Sequence, residues 1–197
     1  MDLNKASLWF SADSHYFHKK LVQPRGFSSV EEMNETIINR LNEKVGRKDA
    51  LFFLGDFSMG APRDIPLLRK RINCQHIYLV YGNHDEEIRR HKELQTLFVK
   101  IYDLHRLRLK RFEYGKLDII LSHYSLRVWE KSHYGSLHIF GHSHGSLRGE
   151  LGRSMDVGVD TNNFYPYSLD DIYQKLSNKS FIPVDHHIPI TEKPFYE

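Results

Sequence analysis

The chain has 197 residues, of which 40% are hydrophobic and 27% charged, so it can bury a sizeable core and lacks the composition of a disordered protein. A single cysteine excludes an intramolecular disulfide and a four-thiolate site, and a formal net charge of +3 is too small to indicate nucleic-acid binding by itself. No apolar run approaches the ~18 residues of a membrane-spanning helix, and the first residues do not resemble a secretory signal. We therefore expect a single cytoplasmic domain over residues 1–197, with no membrane partner.

Apolar runs of strand length recur along the chain and predict largely buried strands. The strong runs are Ala6–Phe10, Ala50–Leu54, His76–Tyr81, Leu117–Leu121 and Leu137–Phe140, and Met155–Val159 is a weaker sixth. Helical apolar spacing predicts four helices, at Ser29–Val45, after Pro62, at Glu86–Phe98 and at Ser168–Leu176. This order of elements predicts a layered α/β domain that is partly parallel and partly antiparallel.

A hairpin is predicted between the third and fourth helices. Residues 104–112 alternate apolar side chains with Arg106, Arg108 and Lys110, and a turn at 113–116 leads into the next strand. We interpret the basic row as the solvated face of an edge strand, where positive charge discourages pairing with another sheet. Contact with a polyanion is the alternative.

A polar cluster follows each of the five strong strands. The clusters are Asp13-Ser-His15, Gly55-Asp56, Gly82-Asn-His-Asp85, Ser122-His123 and Gly141-His-Ser-His144. Each is weak alone, but ligands of α/β sheets bind at the carboxyl ends of strands, so all five are expected to converge on one site.

The converging side chains are suited to metal binding. They comprise two carboxylates, one amide and four imidazoles, namely Asp13, His15, Asp56, Asn83, His123, His142 and His144. Seven ligands exceed the four that zinc usually takes, but they fit two divalent ions if one carboxylate bridges them. Such a pair of ions can activate water and clamp the oxygens of a phosphoryl group. Without thiolates, the set favours Mn, Fe or Zn.

In their order, the five clusters resemble the signature of the calcineurin-like metallophosphoesterases: Asp-x-His, Gly-Asp, Gly-Asn-His-Asp/Glu, His and Gly-His-x-His. The resemblance covers roughly residues 8 to 160 and is strongest to small, uncapped bacterial and phage members. It implies a four-layer αββα sandwich with mixed β-sheets and a dinuclear site. One metal would be bound by Asp13, His15, Asp56 and His144, and the other by Asp56, Asn83, His123 and His142. His84 would contact the phosphate and assist departure of the leaving group.

The resemblance also implies an activity. It is hydrolysis of a phosphate mono- or diester in a small substrate, such as a nucleotide or cyclic nucleotide, by metal-activated hydroxide, with Mn²⁺ favoured over Fe, Zn or Ni. The segment Gly55–Gly60 lacks the second aspartate and the arginine of protein phosphatases, which leaves open what orients His84. A nuclease acting on single strands or ends, with nucleic acid as a less favoured partner, and an inactive interaction scaffold are the alternatives.

Residues beside the ligands are candidates for other roles. His18, Arg25, Tyr124 and Arg127 follow ligands on loops and are predicted to contact substrate. Asp156 and Asp160 are predicted to hold the loop that carries His142 and His144, whereas His186 and His187 are predicted to lie at the surface.

Overall fold

A computed structural model describes residues 1–149 and 152–179 of the chain. The strands are β1 (Leu8–Ser11), β2 (Ala50–Phe53), β3 (His76–Val80), β4 (Lys100–Tyr102), β5 (Leu104–Arg111), β6 (Gly115–Ser122), β7 (Leu137–Phe140), β8 (Ser154–Asp156) and β9 (Tyr167–Ser168). The α-helices are α1 (Val30–Lys44), α2 (Asp64–Arg71), α3 (Glu86–Arg90), α4 (Lys92–Gln95) and α5 (Leu169–Ser177). The surface prediction for His186 and His187 lies outside the described residues.

The strands form two mixed sheets. The first has the order β4-β3-β2-β1-β9, with β1 to β4 parallel and β9 antiparallel to β1. The second has the order β5-β6-β7-β8, with β6 to β8 parallel and β5 antiparallel to β6. The parallel strands of each sheet end on one edge, which gives the polar clusters a common place to meet. The predicted α/β architecture with mixed sheets is confirmed.

The two faces of the first sheet bury different side chains because side chains alternate along a strand. Phe10 and Phe52 point into a core shared with Ile119 and Ile139 of the second sheet. The other face packs, through residues such as Phe53, on helices α1 to α4. The molecule is therefore a sandwich in which a helical layer covers the first sheet and the second sheet closes the other side.

The four-layer αββα prediction places helices on the outer face of each sheet, but α5 does not pack on the outer face of the second sheet. Its apolar residues Leu169, Ile172 and Leu176 join the core that the two sheets share. In the described part of the chain, the outer face of the second sheet is instead contacted by a loop, whose Trp129 lies with its ring centroid 5.3 Å from that of His138. The strong amphipathicity of α5 identified the helix but not the surface on which it packs.

Local signals set most element boundaries. Helix α1 begins after Ser29, whose side chain accepts a hydrogen bond from the Glu32 amide, as expected for an N-cap. The single helix predicted over Glu86–Phe98 is wrong, because it breaks at His91 into α3 and α4. The sequence pattern does not predict β4 and β9, because they are only three and two residues long and carry little periodic signal.

The predicted hairpin is formed by β5 and β6, with Leu104 paired to Ser122 and Arg111 paired to Gly115. Strand β5 lies at the edge of the second sheet, as the basic row suggested. Arg106 of that row is bound by Asp118, with nitrogen–oxygen distances of 2.9 and 3.1 Å. Within the described residues, every helix is too short or too polar to cross a membrane.

Candidate metal centre

The structure brings all seven predicted ligands to the edge where parallel strands of both sheets end. Two groups of three could each hold a metal ion, since the ligand atoms within each group lie within 4.8 Å of one another. The first ligand group is Asp13, His15 and His144, and the second ligand group is Asp56, His123 and His142. The sequence predicted the convergence, and the packing of the two sheets produces it.

In the first ligand group, Asp13 and His15 are buried and His144 is partly exposed. Asp13 and His15 follow β1, and His144 follows β7. The Nε2 atoms of His15 and His144 face each other at 3.2 Å. Both oxygens of Asp13 accept the backbone N–H of His142, at 2.9 and 3.0 Å, so this carboxylate joins the loop after β1 to the loop after β7.

The second ligand group has Asn83 beside it. The Oδ1 atom of Asn83 lies 3.0 Å from His123 Nε2 and 3.0 Å from His142 Nδ1. Nδ1 of His123 lies 2.8 Å from the Leu54 carbonyl, to which it donates, and this contact aims Nε2 at the site. The predicted set of three side chains plus an amide oxygen is therefore assembled around one point.

Asp56 lies between the two groups. Its Oδ2 atom is 3.4 Å from His15 Nε2 in the first group and 3.5 Å from His123 Nε2 in the second. Its Oδ1 atom accepts the backbone N–H of His84 at 2.8 Å, which fixes the carboxylate. This is the position that a bridging ligand would require.

The ligands occupy an uncommon backbone conformation. Five of the seven have positive φ: Asp13 at 58°, His15 at 47°, Asp56 at 55°, His142 at 66° and His144 at 48°. Asp and His tolerate this region better than bulky residues, yet it remains sparsely populated. Backbone strain of this kind persists where surrounding structure enforces it and concentrates at functional sites. Of the nine described non-glycine residues with positive φ, five are candidate ligands, so this strain is enriched at the site.

Glycines allow the loops to approach each other. A Cβ at Gly82 would lie 2.2 Å from Asp56 Oδ1, and one at Gly55, whose φ is +91°, would lie 2.4 Å from His123 Nδ1. No side chain fits at either position without moving a ligand. The glycines of the motifs are thus needed for close packing around the carboxylate and imidazole.

The electrostatics of both groups suit a cation. Burial raises the pKa of Asp13 to about 7 and lowers that of His15 to about 3, so the carboxylate lacks a compensating charge and the imidazole is neutral. Facing acceptor atoms, such as His15 Nε2 and Asp56 Oδ2, need a proton or a cation between them. Burial opposes a proton on His123, yet the hydrogen bond to Asp56 raises the pKa of this imidazole. These donors therefore fit divalent metal ions, which imidazole and carboxylate bind readily.

His84 lies exposed at the rim of the site. Its ring centroid is 5.3 Å from that of His15 and 6.5 Å from that of His18, both in edge-on arrangements. Among the described residues, no carboxylate forms a hydrogen bond with the His84 ring. The ring is instead positioned beside the imidazoles of His15 and His18. Nδ1 of His18 is buried without a hydrogen-bond partner. His15, His18 and His84 thus form a cluster of three imidazoles on one side.

Two of the predicted substrate contacts lie on the loop after β6. Tyr124 is 50% exposed, with its ring centroid 4.6 Å from that of His142 and its hydroxyl 3.4 Å from Asn83 Oδ1. Arg127 is exposed on the same loop, and in the described residues it forms no ion pair. Tyr124 therefore borders the second ligand group, while Arg127 remains free to reach solvent.

The structure corrects the expectation for Arg25. Its side chain is only 3% exposed and donates to both carboxylate oxygens of Asp160, at 2.8 and 2.7 Å. Its terminal nitrogens also donate to the backbone carbonyls of Ser14 and Asp13, at 2.9 and 2.7 Å. Because the guanidinium is buried and its nitrogens already donate to these four oxygens, it is not available to bind a substrate. The sequence placed Arg25 on the right loop but could not show that it points inward.

Asp85 has a role that the sequence analysis missed. This buried carboxylate accepts the backbone N–H groups of Asp56 and Gly82 at Oδ2, at 2.9 and 2.8 Å, and that of Phe57 at Oδ1, at 2.9 Å. It therefore ties the loop after β2 to the loop after β3. An acid directly after the motif histidine at a strand end was the available signal.

The two later aspartates hold the last loop, as expected. Asp160 Oδ2 lies 2.6 Å from Nδ1 of His144, while Asp156 accepts the backbone N–H groups of Gly145 and Gly158 at 2.8 and 2.7 Å. Asp160 thus touches a candidate ligand, and Asp156 supports only the backbone.

Comparisons with known proteins find relatives that match this chain over most of its length. No protein-family model matches the chain. The chain is 27% identical over 184 residues to an uncharacterized protein of Methanocaldococcus jannaschii, MJ1445. This alignment covers 88% of this chain and 93% of that protein. It is 26% identical over 205 residues to the gene 66 protein of Mycobacterium phage L5, with 88% and 95% covered.

A solved structure shares the architecture. The crystal structure of a protein of unknown function from Aquifex aeolicus, AQ665, aligns with a TM-score of 0.65 and 22% sequence identity. The alignment covers 87% of this chain and 100% of that one. This likeness supports the α/β sandwich and extends to the fold alone.

Proposed function

We propose that the protein is a phosphoesterase that uses two divalent metal ions to hydrolyse a phosphate mono- or diester in a small substrate, such as a nucleotide. The proposal includes the calcineurin-like metallophosphoesterase type of sandwich and site. Its main support is the position of Asp56, whose Oδ2 lies within 3.5 Å of an imidazole nitrogen of each ligand group. Two divalent cations held there would activate water and offset the negative charge of the phosphate.

The residues of the chain would divide the remaining work. Asp56 is held in place by the His84 N–H and presents one oxygen to both ligand groups. The exposed His84 imidazole, whose ring centroid is 5.3 Å from that of His15, can donate a proton to the departing oxygen. Tyr124, exposed next to His142, can contact the part of the substrate that lies outside the metal centre. Mn²⁺ is the first metal to test, followed by Fe, Zn and Ni.

The test compares p-nitrophenyl phosphate with bis(p-nitrophenyl) phosphate, using full-length protein stripped with chelator and then supplied with Mn²⁺. Metal-dependent turnover should disappear in Asp56→Asn and persist in Asp170→Asn, an exposed aspartate on α5. The preferred ester would assign the mono- or diesterase class. Failure to retain metal, together with no turnover of either ester, would contradict the proposal and favour an interaction scaffold.

A nuclease is the second candidate because of the basic row on β5. Arg108 and Lys110 are exposed there and form no ion pair with the described residues, whereas Arg106 is neutralised by Asp118. Cleavage of a single-stranded oligonucleotide that falls in Arg108→Gln, with hydrolysis of the small esters unchanged, would favour this candidate.

A further inference from the structure

The two ligand groups differ in what stands behind their imidazoles. In the first group, Asp160 Oδ2 lies 2.6 Å from His144 Nδ1. The same Oδ2 atom accepts a hydrogen bond from Arg25 at 2.7 Å, so it meets His144 as an acceptor. It therefore takes the N–H of His144 Nδ1 and leaves Nε2 as the atom that faces His15, at 3.2 Å. A carboxylate behind a metal-binding histidine orients the ring and increases its basicity.

Arg25 locks this arrangement in place. Its guanidinium grips both oxygens of Asp160 and also donates to the carbonyls of Asp13 and Ser14. One buried side chain thus joins the loop that carries two ligands to the carboxylate that orients the third. A planar guanidinium suits this task because its donors lie in a fixed fork.

The second ligand group is built differently. Nδ1 of His123 pairs with the neutral carbonyl of Leu54, at 2.8 Å, and not with a carboxylate. Each group has two buried members, and the groups differ in the third, since His142 of the second group is exposed whereas His144 of the first is only partly exposed. A metal at the second group would therefore be more accessible to solvent and would have less electrostatic support.

We propose that Arg25 and Asp160 are positioning residues that make the first ligand group the tighter of the two metal positions, leaving the second to exchange its metal. This inference rests on the metal centre of the proposed function. It assigns Arg25, which had been expected to bind substrate, to metal affinity. It also gives Asp160 a role distinct from that of Asp156, although both lie in the same segment.

The test is calorimetric titration of Mn²⁺ into chelator-treated full-length protein. Wild-type protein should take up two ions in a tight and a weaker step. Asp160→Asn should weaken the tight step 10- to 100-fold and leave the weaker step unchanged. Arg25→Lys keeps the charge but loses the fork, so it should act in the same direction. His142→Ala, in contrast, should weaken only the weaker step.

Asp156→Asn is the matched control, because it removes the same charge from the same segment while touching only the backbone of Gly145 and Gly158. Its two affinities should stay within about threefold of wild type. The inference is overturned if Asp156→Asn and Asp160→Asn weaken the tight step equally, if both steps weaken together, or if Asp160→Asn changes neither. Wild-type protein that binds no metal would refute the proposed function as well, whereas two bound ions with no effect of Asp160→Asn would refute this inference alone.

Discussion

Replacing Asp85 should destabilise the fold even when no metal is present. Burial raises the pKa of this carboxylate, whereas the three backbone N–H groups that it accepts act in the opposite direction and favour its charged form. Each hydrogen bond to that charged form contributes about 1.5–3 kcal/mol. In Asp85→Asn, the amide oxygen can keep two of these bonds at the former Oδ2 position, but its NH₂ then faces the Phe57 N–H. We expect the free energy of unfolding to fall by about 2–4 kcal/mol, from the lost bond and the weaker acceptor. Asp85→Ala should cost more, because all three donors lose their partner.

The assay is urea unfolding of chelator-treated protein, followed by circular dichroism. Asp103→Asn is the control, since this exposed aspartate forms only a surface ion pair with Arg89, at 3.0 Å, and should cost less than about 1 kcal/mol. If Asp85→Asn changed the free energy of unfolding no more than Asp103→Asn, Asp85 would not be the anchor of the two loops. The three hydrogen bonds would then contribute nothing measurable to stability.

Three further predictions concern positions outside the ligand set. Gly55→Ala should lower the free energy of unfolding in urea by about 2–4 kcal/mol, because the added Cβ would lie 2.4 Å from His123 Nδ1. Gly26 also has positive φ but lies in open space, so Gly26→Ala should lower it by only about 1 kcal/mol. Burial lowers the pKa of His138 from 6.5 to about 4. Between these two pH values the unfolded chain gains a proton at His138 that the folded protein does not. The free energy of unfolding should therefore fall by about 1.4 kcal/mol for each pH unit below 6.5, until pH 4 is reached. His138→Gln should flatten the pH dependence of the unfolding free energy in that window, and an unchanged slope would assign acid sensitivity to other groups. Ser168→Ala should remove the capping box of α5 and lower stability by about 1 kcal/mol, measured as a shift in the urea midpoint.

Much of the fold could be predicted because its signals are local. Buried strands such as Ala50–Phe53 appear as apolar runs, and their ends are marked by glycine and polar residues. The seven candidate ligands could be recognised for the same reason, since each follows a strand directly. The errors arose where the local signal was weak. Strands β4 and β9 are short, and the helical apolar spacing continues across His91, where the structure has a break between α3 and α4.

Tertiary structure alone decided which partners these residues meet. Arg25 and Asp160 are separated by 135 positions, and no periodicity links them. The packing of loops from the two sheets decides three features that the sequence does not show. Arg25 points inward, Asp85 binds the backbone of two loops, and the two ligand groups differ in the residues behind their imidazoles. The sequence by itself determined which side chains reach the carboxyl ends of the strands, because strand length and polar endings are written locally. The division of those side chains into two groups, with Asp56 between them, arises only from the packing of the sheets, since that packing sets distances between residues remote in the chain.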